Sequence, residues 1–542
     1  MSSQFAALES GAPGLSVTGA GGVAWVRERW AALSLSAVAL LSATWAVFAL
    51  AWPMGFDHGL YTWTGDVVIQ GGLPYRDSWD MHGPLVPYLF ALPQAVFGPR
   101  FWGVRVLDLL ILGASLYALY RLLATVSSRT AAMWAVAVFP LCYASTGFNE
   151  TAQPDGWVGL ALMAAVVPLL VRTPGTATVF AAGLVVGAAA LVKPVFAAFL
   201  LVPFVCLFNG GRPTLKALAG RTVVMGVGFV IPIAAAAAWF ASKGGLGYLV
   251  EVHLAYTSQV YSPLASLDLQ GRMRGLLDYV WSARVVAVAQ PAVLLGAFAL
   301  RRSHPGVFRA LVTWVVLGIA LVLLQNKYYM YHWHIILPPL AALAAAGLHA
   351  ALSPARAASR DARLLAIALM GVIVVHAASR PGLRLLDDLR FAVGALDKQA
   401  YTARFRSDTF EPAAIREVGT YIRGRTTQAD RLAIYGFDAG ILYESGRESA
   451  FRMAGWSWPV TEGEGSPIRE EYRREYLESM ERTRPTYVVV NRGAGNEETS
   501  PTLLPPTLSG FPELASVIQS RYRYERHFGR YTLYRRADAA PR

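Results

Sequence analysis

Four acidic residues lie in one polar stretch between the first two long apolar segments of the chain. The stretch 55–99 contains Asp57, Asp66, Asp77 and Asp80. An unpaired carboxylate beside hydrocarbon is costly, so these residues need a polar, water-accessible or partnered pocket. Carboxylates held in such a pocket can take part in acid–base chemistry. The first hypothesis is therefore a reaction centre at a membrane interface.

A second polar loop, FNETAQPDGW (148–157), adds Glu150 and Asp155. Each loop acid also has a structural explanation. Asp155 follows Pro154 and would cap a helix, whereas acids in a turn often bond to their own backbone, as Asp77 and Asp80 would. The residues alone leave both roles open.

The composition indicates a polytopic membrane protein. Of the 542 residues 55% are hydrophobic and only 15% are charged, which no soluble domain of this size shows. The chain has ten apolar runs: 31–52, 104–125, 131–145, 156–171, 178–208, 223–240, 285–300, 310–324, 335–352 and 364–377. The first run lacks a clean cleavage site and is predicted to be an uncleaved anchor.

The topology depends on the fifth run, 178–208, which Lys193-Pro194 interrupts. A hairpin at this point places nearly all loop arginines and lysines on one side, which the positive-inside rule makes cytoplasmic. The sequence thus predicts about eleven crossings, two of them short, and a C-terminal part outside the cytoplasm. Within that part, 431–437, 486–491 and 530–536 are predicted strands and 468–482 a helix, giving a small α/β domain.

The predicted domains are a cytoplasmic tail (1–30), a membrane domain (31–379) with outer loops 53–103 and 242–284, and an extracytoplasmic domain (380–542). The loop 242–284 is expected to cover the site. The net charge of +13 is attributed to orientation and anionic lipid, because no nucleic-acid motif accompanies it. The two cysteines are not expected to pair.

Six sequence motifs of the membrane domain together resemble those of a known family. FDHGLY, GGLPYRDSWDMHGPLVPYLFAL and FGPRFWGVRVLDLL, followed by FNETAQPDGW, GLVVGAAALVKPVF and KYYMYHWHIILPPLAAL, occur in that order within 31–350. This order resembles the GT-C membrane glycosyltransferases, particularly the group related to protein O-mannosyltransferases and the lipid A aminoarabinose transferase. The soluble tail, with DRLAIYGFDAGILYESGR, is similar to exported C-terminal domains of that group.

The resemblance implies transfer of a hexose or pentose from a polyprenyl-phosphate carrier to an acceptor outside the cytoplasm, with inversion. The first-loop catalytic aspartate of the family falls on Asp57. Many relatives have an acidic pair there, whereas this chain has His58, which leaves the acceptor class open. Relatives often bring a second acid from the second outer loop, here Glu150 or Asp155. A bacterial inner membrane or plasma membrane is the predicted location.

Several residues are candidates for contacting substrate or the carrier phosphate. They are Asp77, Asp80, Arg105, Lys193, Lys327 and His332. Lys193 is costly inside an apolar run unless it faces a cavity, although a snorkelling lysine would also explain it. Arg105 and Lys327 also suit interfacial anchoring. His332 and His334 lack a third metal ligand.

Two other classes of protein would also explain part of the sequence. A transporter or flippase of lipid-linked glycans would need similar cations, but the chain shows no internal repeat. A non-catalytic scaffold would explain the tail and not the first loop. The expected partners are the lipid-linked donor, a glycan, lipid or protein acceptor, and membrane lipid, without nucleic acid. No cofactor is assigned, and the use of a divalent cation stays open.

Overall fold

The computed structural model describes residues 19–264, 267–353, 359–406, 410–493 and 504–539. The predicted tail therefore lies outside the described residues up to residue 18, and the first helix begins at Gly19. The first nine helices are α1 Gly19–Ala49, α2 Phe56–Ile69, α3 Leu85–Phe97, α4 Trp102–Val126, α5 Arg129–Ala144, α6 Pro154–Val171, α7 Thr176–Val192, α8 Leu201–Cys206 and α9 Leu215–Ser242. The next seven are α10 Leu246–Val250, α11 Ser262–Leu264, α12 Leu269–Ser282, α13 Arg284–Ser303, α14 Pro305–Gln325, α15 Leu337–Leu352 and α16 Arg360–Ala392.

Eight segments in the described part of the chain are long and apolar enough to cross a membrane, and they place the protein among multi-pass membrane proteins. They are Arg29–Ala49, Trp102–Val126, Pro154–Val171, Leu215–Ser242, Arg284–Ser303, Pro305–Gln325, Met330–Leu352 and Arg360–Ala392. Three shorter apolar segments, Arg129–Ala144, Thr176–Val192 and Pro194–Cys206, would bring the number to the predicted eleven. That number stays a prediction, as do the domain boundaries.

The chain reverses at Lys193-Pro194. Lys193 is extended (φ −155°) and ends α7, and a 3₁₀ helix, Pro194–Leu200, follows. Proline disfavours helix in the residue before it, which explains the break. Lys193 contacts Asp155 at the start of α6, whereas Asn209 bonds to the Leu170 carbonyl (2.7 Å) at the end of α6. The segment after the break therefore runs back along α6, as a hairpin requires.

Glycines allow two pairs of helices to approach closely. A Cβ at Gly183 or Gly187 of α7 would collide with backbone carbonyls of α9, and one at Gly296 of α13 or Gly347 of α15 would collide with the facing helix. Small residues four apart are a common means of packing helices in membranes. These contacts build the helical core that carries the outer loops.

The C-terminal part is a small α/β domain, as predicted. Its elements are α17 Lys398–Thr402, α18 Pro412–Arg423, β1 Arg431–Tyr435, α19 Gly440–Ser445, β2 Glu448–Ser449, α20 Trp458–Thr461, α21 Pro467–Thr483, β3 Tyr487–Asn491, α22 Pro512–Arg521, β4 Tyr522–Phe528 and β5 Tyr531–Arg536. The strand order is β2-β1-β3-β5-β4. β1 is parallel to β2 and β3, with Ala433 beside Val488, whereas β5 is antiparallel to β3 and β4. The three predicted strands form the centre of this sheet.

Candidate active site

Asp57 lies in the first turn of α2, immediately after the first apolar helix. Gly55 precedes the helix in an extended conformation, and the Phe56 N–H donates to Asn149 Oδ1 (3.1 Å) in the second outer loop. A Cβ at Gly55 would lie 2.8 Å from Asn149 Cα, so the glycine permits this close contact. The two outer loops thereby meet at the start of α2, where the helix dipole favours a negative charge.

The Asp57 carboxylate is buried, being 9% exposed, and it makes no salt bridge within the described residues. Gln153 Nε2 lies 3.4 Å from Asp57 Oδ2. Burial raises the pKa of Asp57 to about 6, and the charge of His82 together with hydrogen bonds from Gln153 and Tyr331 limits the rise. A carboxylate with this pKa is ionised at neutral pH and basic enough to accept a proton.

His82 and Asp80 form a second group facing Asp57. His82 Nδ1 lies 2.7 Å from Asp80 Oδ1, and His82 Nε2 lies 2.9 Å from the Tyr61 hydroxyl. Burial disfavours the charged imidazole, but the charge of Asp80 and its hydrogen bond outweigh burial and raise the pKa of His82. Asp80 thus holds the imidazole in place and supports its positive charge beside Asp57. Asp77, by contrast, pairs with Arg76 and accepts the Leu73 N–H in a partly exposed turn.

Asp155 and Lys193 form a buried ion pair next to His332. Lys193 Nζ donates to Asp155 Oδ2 at 2.7 Å and lies 3.3 Å from His332 Nε2. The side chains of Asp155 and His332 are 3% and 4% exposed, and that of Lys193 is 19% exposed. Asp155 is in the first turn of α6, and Lys193 ends α7. The charge of Lys193 is therefore matched by the carboxylate of Asp155.

Lys327 is a cation near this cluster that makes no salt bridge with the described residues. It lies between α14 and the 3₁₀ helix Met330–Ile336, in a sharp turn with Asn326 (φ 53°) and Tyr328 (φ 55°) left-handed. Its Nζ is 3.9 Å from the centre of the Tyr261 ring, and burial lowers the pKa of Lys327 to about 8. A cation held over a ring and without a carboxylate can receive an anionic substrate group.

Glu150 lies near Asp57 but differs in protonation. Its Oε2 atom is buried and has no hydrogen-bond partner among the described residues. Burial, followed by the charge of Asp57, raises the pKa of Glu150 to about 8. Glu150 is thus largely protonated and neutral at pH 7, so Asp57 is the acid of this pair that is able to accept a proton.

The side chain of Arg105 binds backbone and side-chain groups of the outer loops, and Arg105 is only 1% exposed. Its guanidinium donates to Thr151 Oγ1 (2.8 Å) and to the carbonyls of Phe148 (3.0 Å) and Pro53 (3.1 Å). The structure therefore gives Arg105 a role in joining the two outer loops, and we do not assign it to substrate.

The C-terminal domain holds the first outer loop in place through Arg452. Arg452 Nη1 donates to the Tyr75 carbonyl (2.9 Å), and its other donors bind Glu251 and Glu475, each at 2.8 Å. The Trp79 N–H donates to the Arg452 carbonyl at 2.7 Å. Glu251 begins a π-helix, Glu251–Tyr261, within the predicted loop 242–284, whose residues 265–266 lie outside the described residues. One side chain thus joins the C-terminal domain to the first outer loop and to the segment 242–284.

Several polar groups of the cluster were not predicted from the sequence. They contact or face the predicted acids and are His82, Tyr61, Gln153 and Tyr331. The spacing Asp80-x-His82 was the one local signal that could have identified His82. Among the described residues, no group of three or more histidines, cysteines and acids could hold a metal ion.

Comparisons with known proteins show a likeness of fold. No protein-family model matches the chain, and a search of curated proteins found no match. ArnT from Cupriavidus metallidurans bound to undecaprenyl phosphate is 15% identical, with 94% of this chain and 99% of that chain covered and a TM-score of 0.56. The apo state of ArnT gives 15% identity, coverage of 96% and 100%, and a TM-score of 0.55.

A looser match is the Archaeoglobus fulgidus oligosaccharyltransferase tethered with an acceptor peptide, at 16% identity, 95% and 75% coverage and a TM-score of 0.46. The ArnT matches carry the comparison. They show that the chain has the GT-C fold predicted from its loop motifs, over nearly its whole length.

Proposed function

We propose that the chain is a membrane glycosyltransferase that moves a sugar from a polyprenyl-phosphate carrier to an acceptor hydroxyl on the extracytoplasmic face. The observation that carries this proposal is the buried Asp57 at the start of α2, which makes no salt bridge with the described residues and whose pKa burial raises to about 6. The fold of ArnT, a protein whose structure holds undecaprenyl phosphate, supports the choice of donor.

In the proposed reaction, Asp57 accepts the proton of the acceptor hydroxyl as its oxygen attacks the anomeric carbon. The bond from that carbon to the phosphate oxygen breaks, and the carrier phosphate leaves with the bonding electrons. Attack opposite the leaving phosphate inverts the anomeric centre. The negative charge that develops on the phosphate needs a cation, and Lys327, which makes no salt bridge in the described part of the chain, supplies one.

The other charged residues hold this arrangement. Lys193 fixes Asp155 and His332, and Asp80 orients His82 beside Asp57. Glu150 is close to Asp57 and neutral, so it adds no charge that would repel the departing phosphate at pH 7. The C-terminal domain, through Arg452, keeps the loop with Asp80 and His82 on the cluster.

The proposal is tested by turnover of a panel of polyprenyl-phosphate sugars by purified protein in lipid nanodiscs. Wild type is compared with Asp57→Asn and with Asp66→Asn, a control on the same helix whose carboxylate bonds to Gln70 (2.8 Å). Release of carrier phosphate by wild type and the control, but not by Asp57→Asn, is expected. Tight donor binding without bond cleavage under any acceptor would instead favour a transporter.

A further inference from the structure

A cavity lies between the outer ends of the membrane helices and the C-terminal domain, beside the start of α2. Its volume is about 650 Å³. Its membrane side is formed by residues 50–56 after α1 and by the turn 99–102 before α4, and its other side by α17, α18 and α19. We call this space the interdomain cavity. Neither Tyr61, His82 nor Gln153, which surround Asp57, lines it.

Basic side chains dominate the polar lining of the interdomain cavity. Four cations line it, namely Arg100, Lys398, Arg416 and Arg423. The two lining acids offset them only in part. Asp438 already accepts hydrogen bonds from Tyr531 (2.6 Å) and Asn491 (2.7 Å) inside the domain, whereas Glu444 makes no salt bridge in the part of the chain that the structure describes. The cavity therefore carries a net positive charge.

Arg416 and Lys398 are the cations that most need an anion. Arg416 Nη1 is buried and has no hydrogen-bond partner among the described residues, which is unfavourable for a guanidinium N–H. Burial and then the nearby charge of Arg416 lower the pKa of Lys398, with Glu444 opposing them. Two like charges thus share one cavity wall. A bound anion would relieve the repulsion and fill the vacant donor position.

The position of the cavity indicates which kind of molecule would bring an anionic group to it. Three membrane-spanning segments end at its wall: Arg29–Ala49 just before residue 50, Trp102–Val126 at Trp102, and Arg360–Ala392 at Phe391. Trp102 is 37% exposed and Phe56 is 36% exposed, as is common for aromatic side chains at a membrane–water interface. The head group of a lipid in the adjacent leaflet would lie at this level, so the cavity is placed to receive an anionic head group.

We propose that the interdomain cavity binds the phosphate head group of an anionic amphiphile from the adjacent leaflet, with Arg416 and Lys398 as its principal contacts. The head group would lie between α18 and the segment 53–56 that precedes Asp57, and would fasten the C-terminal domain to the membrane domain. This site is separate from the proposed donor site and does not depend on the proposed function.

The test measures lipid binding and thermal unfolding of the full chain in three settings. They are phosphatidylcholine nanodiscs, the same nanodiscs with added phosphatidylglycerol, and phosphatidylcholine nanodiscs with inorganic phosphate. The variant K398Q/R416Q is compared with wild type and with K243Q/R474Q, which removes the same charge from exposed positions outside the cavity. Binding is followed by native mass spectrometry of retained lipid.

Phosphatidylglycerol is expected to bind wild type and to raise its Tm. K398Q/R416Q should lose about tenfold or more in affinity, because it removes two charge-assisted contacts to the phosphate, whereas K243Q/R474Q should change by about twofold or less. An equal response of the two double variants overturns the site. Protection by inorganic phosphate without any by phosphatidylglycerol overturns the lipid assignment. R416K retains the charge and the fold, and unchanged affinity in it would overturn a guanidinium contact.

Discussion

Asp57 and Asp155 occupy similar positions and have opposite electrostatic surroundings. Both lie in the first turn of a helix at the same end of the helical core, and both are buried. Asp155 has Lys193 at 2.7 Å, whereas Asp57 has the Gln153 amide at 3.4 Å, a hydrogen bond from Tyr331 and the more distant charge of His82. A matched charge holds a structure together, and an unmatched one is available for proton transfer. We therefore assign chemistry to Asp57 and support to Asp155.

The most direct test of this difference between Asp57 and Asp155 is to neutralise each acid in turn. Asp57→Asn should lower kcat by about 10²–10⁴-fold, the range typical for loss of a general base. Its stability at pH 7 should rise, because burial raises the pKa of Asp57 from 3.8 to about 6. The ionised carboxylate therefore lowers stability as the pH rises from about 4 to 6, and the full penalty is present above pH 6. Asp155→Asn should do the reverse and lower the Tm by leaving Lys193 unpaired. Paired measurements of kcat and Tm in nanodiscs check this, and a Tm loss for Asp57→Asn would contradict the assignment.

Removing Lys193 tests the supporting half of the comparison. Lys193→Met should cost about 3–5 kcal/mol of stability, because it leaves a buried carboxylate without its partner. The double variant Asp155→Leu, Lys193→Met removes both charges and should recover most of this loss. Chemical unfolding in nanodiscs measures both. If Lys193 instead bound the carrier phosphate, the single variant would keep its stability and lose donor affinity.

The sequence was sufficient to identify the costly polar residues but not their pairing. Asp57, Asp155, Lys193 and His332 stood out because charge beside apolar segments needs a reason. Lys193 and Asp155 are far apart in sequence and meet only because the chain reverses at Pro194. The ion pair was therefore not predicted, and the sequence made Lys193 a candidate either for binding the carrier phosphate or for snorkelling. Only the packed structure distinguishes a paired lysine from a free one.

In the C-terminal domain too, elements with a local sequence pattern were predicted, whereas contacts between distant residues were not. β1, β3 and β5 were predicted from branched and aromatic residues, and α21 from its amphipathic pattern. β4, with its sequence YRYERHF, was missed because a β-bulge between Tyr524 and Arg526 breaks its alternation of aromatic and charged residues, and it is an edge strand held by β5 alone. The link through Arg452 had no local signal, since the residues it contacts are far from it in sequence.

The pH dependence of kcat/KM should reflect the pKa values of Asp57 and Lys327, and not the Asp155–Lys193 ion pair. Asp57 must be ionised and Lys327 protonated, and their pKa values are about 6 and about 8. We expect kcat/KM to rise about tenfold per pH unit up to pH 6, to level off, and to fall above pH 8. Lys327→Met should remove the alkaline limb and raise the KM for the donor. A pH-independent rate between 5 and 7 would contradict the role of Asp57.

Breaking the contact of the C-terminal domain should have a smaller effect. Arg452→Gln removes the bonds to the Tyr75 carbonyl, Glu251 and Glu475, and so loosens the loop that carries Asp80 and His82. We expect kcat to fall about tenfold with little change in the apparent pKa of Asp57, because a positioning residue alters geometry and not the base itself. Arg474→Gln, at an exposed position on α21, is the control. An unchanged kcat would show that this contact serves stability alone.

The smallest effect is expected for Glu150, the acid that lies beside Asp57 but is neutral at pH 7. Because burial raises the pKa of Glu150 to about 8, Glu150→Gln replaces one uncharged group by another of similar shape. We expect kcat/KM at pH 7 to change by about threefold or less, far below the loss for a general base. The decrease of kcat/KM above pH 8 distinguishes Lys327 from Glu150, because both groups have a pKa of about 8. If it persists in Glu150→Gln and disappears in Lys327→Met, it belongs to the lysine, whereas a loss at pH 7 as large as that of Asp57→Asn would make Glu150 a second catalytic acid.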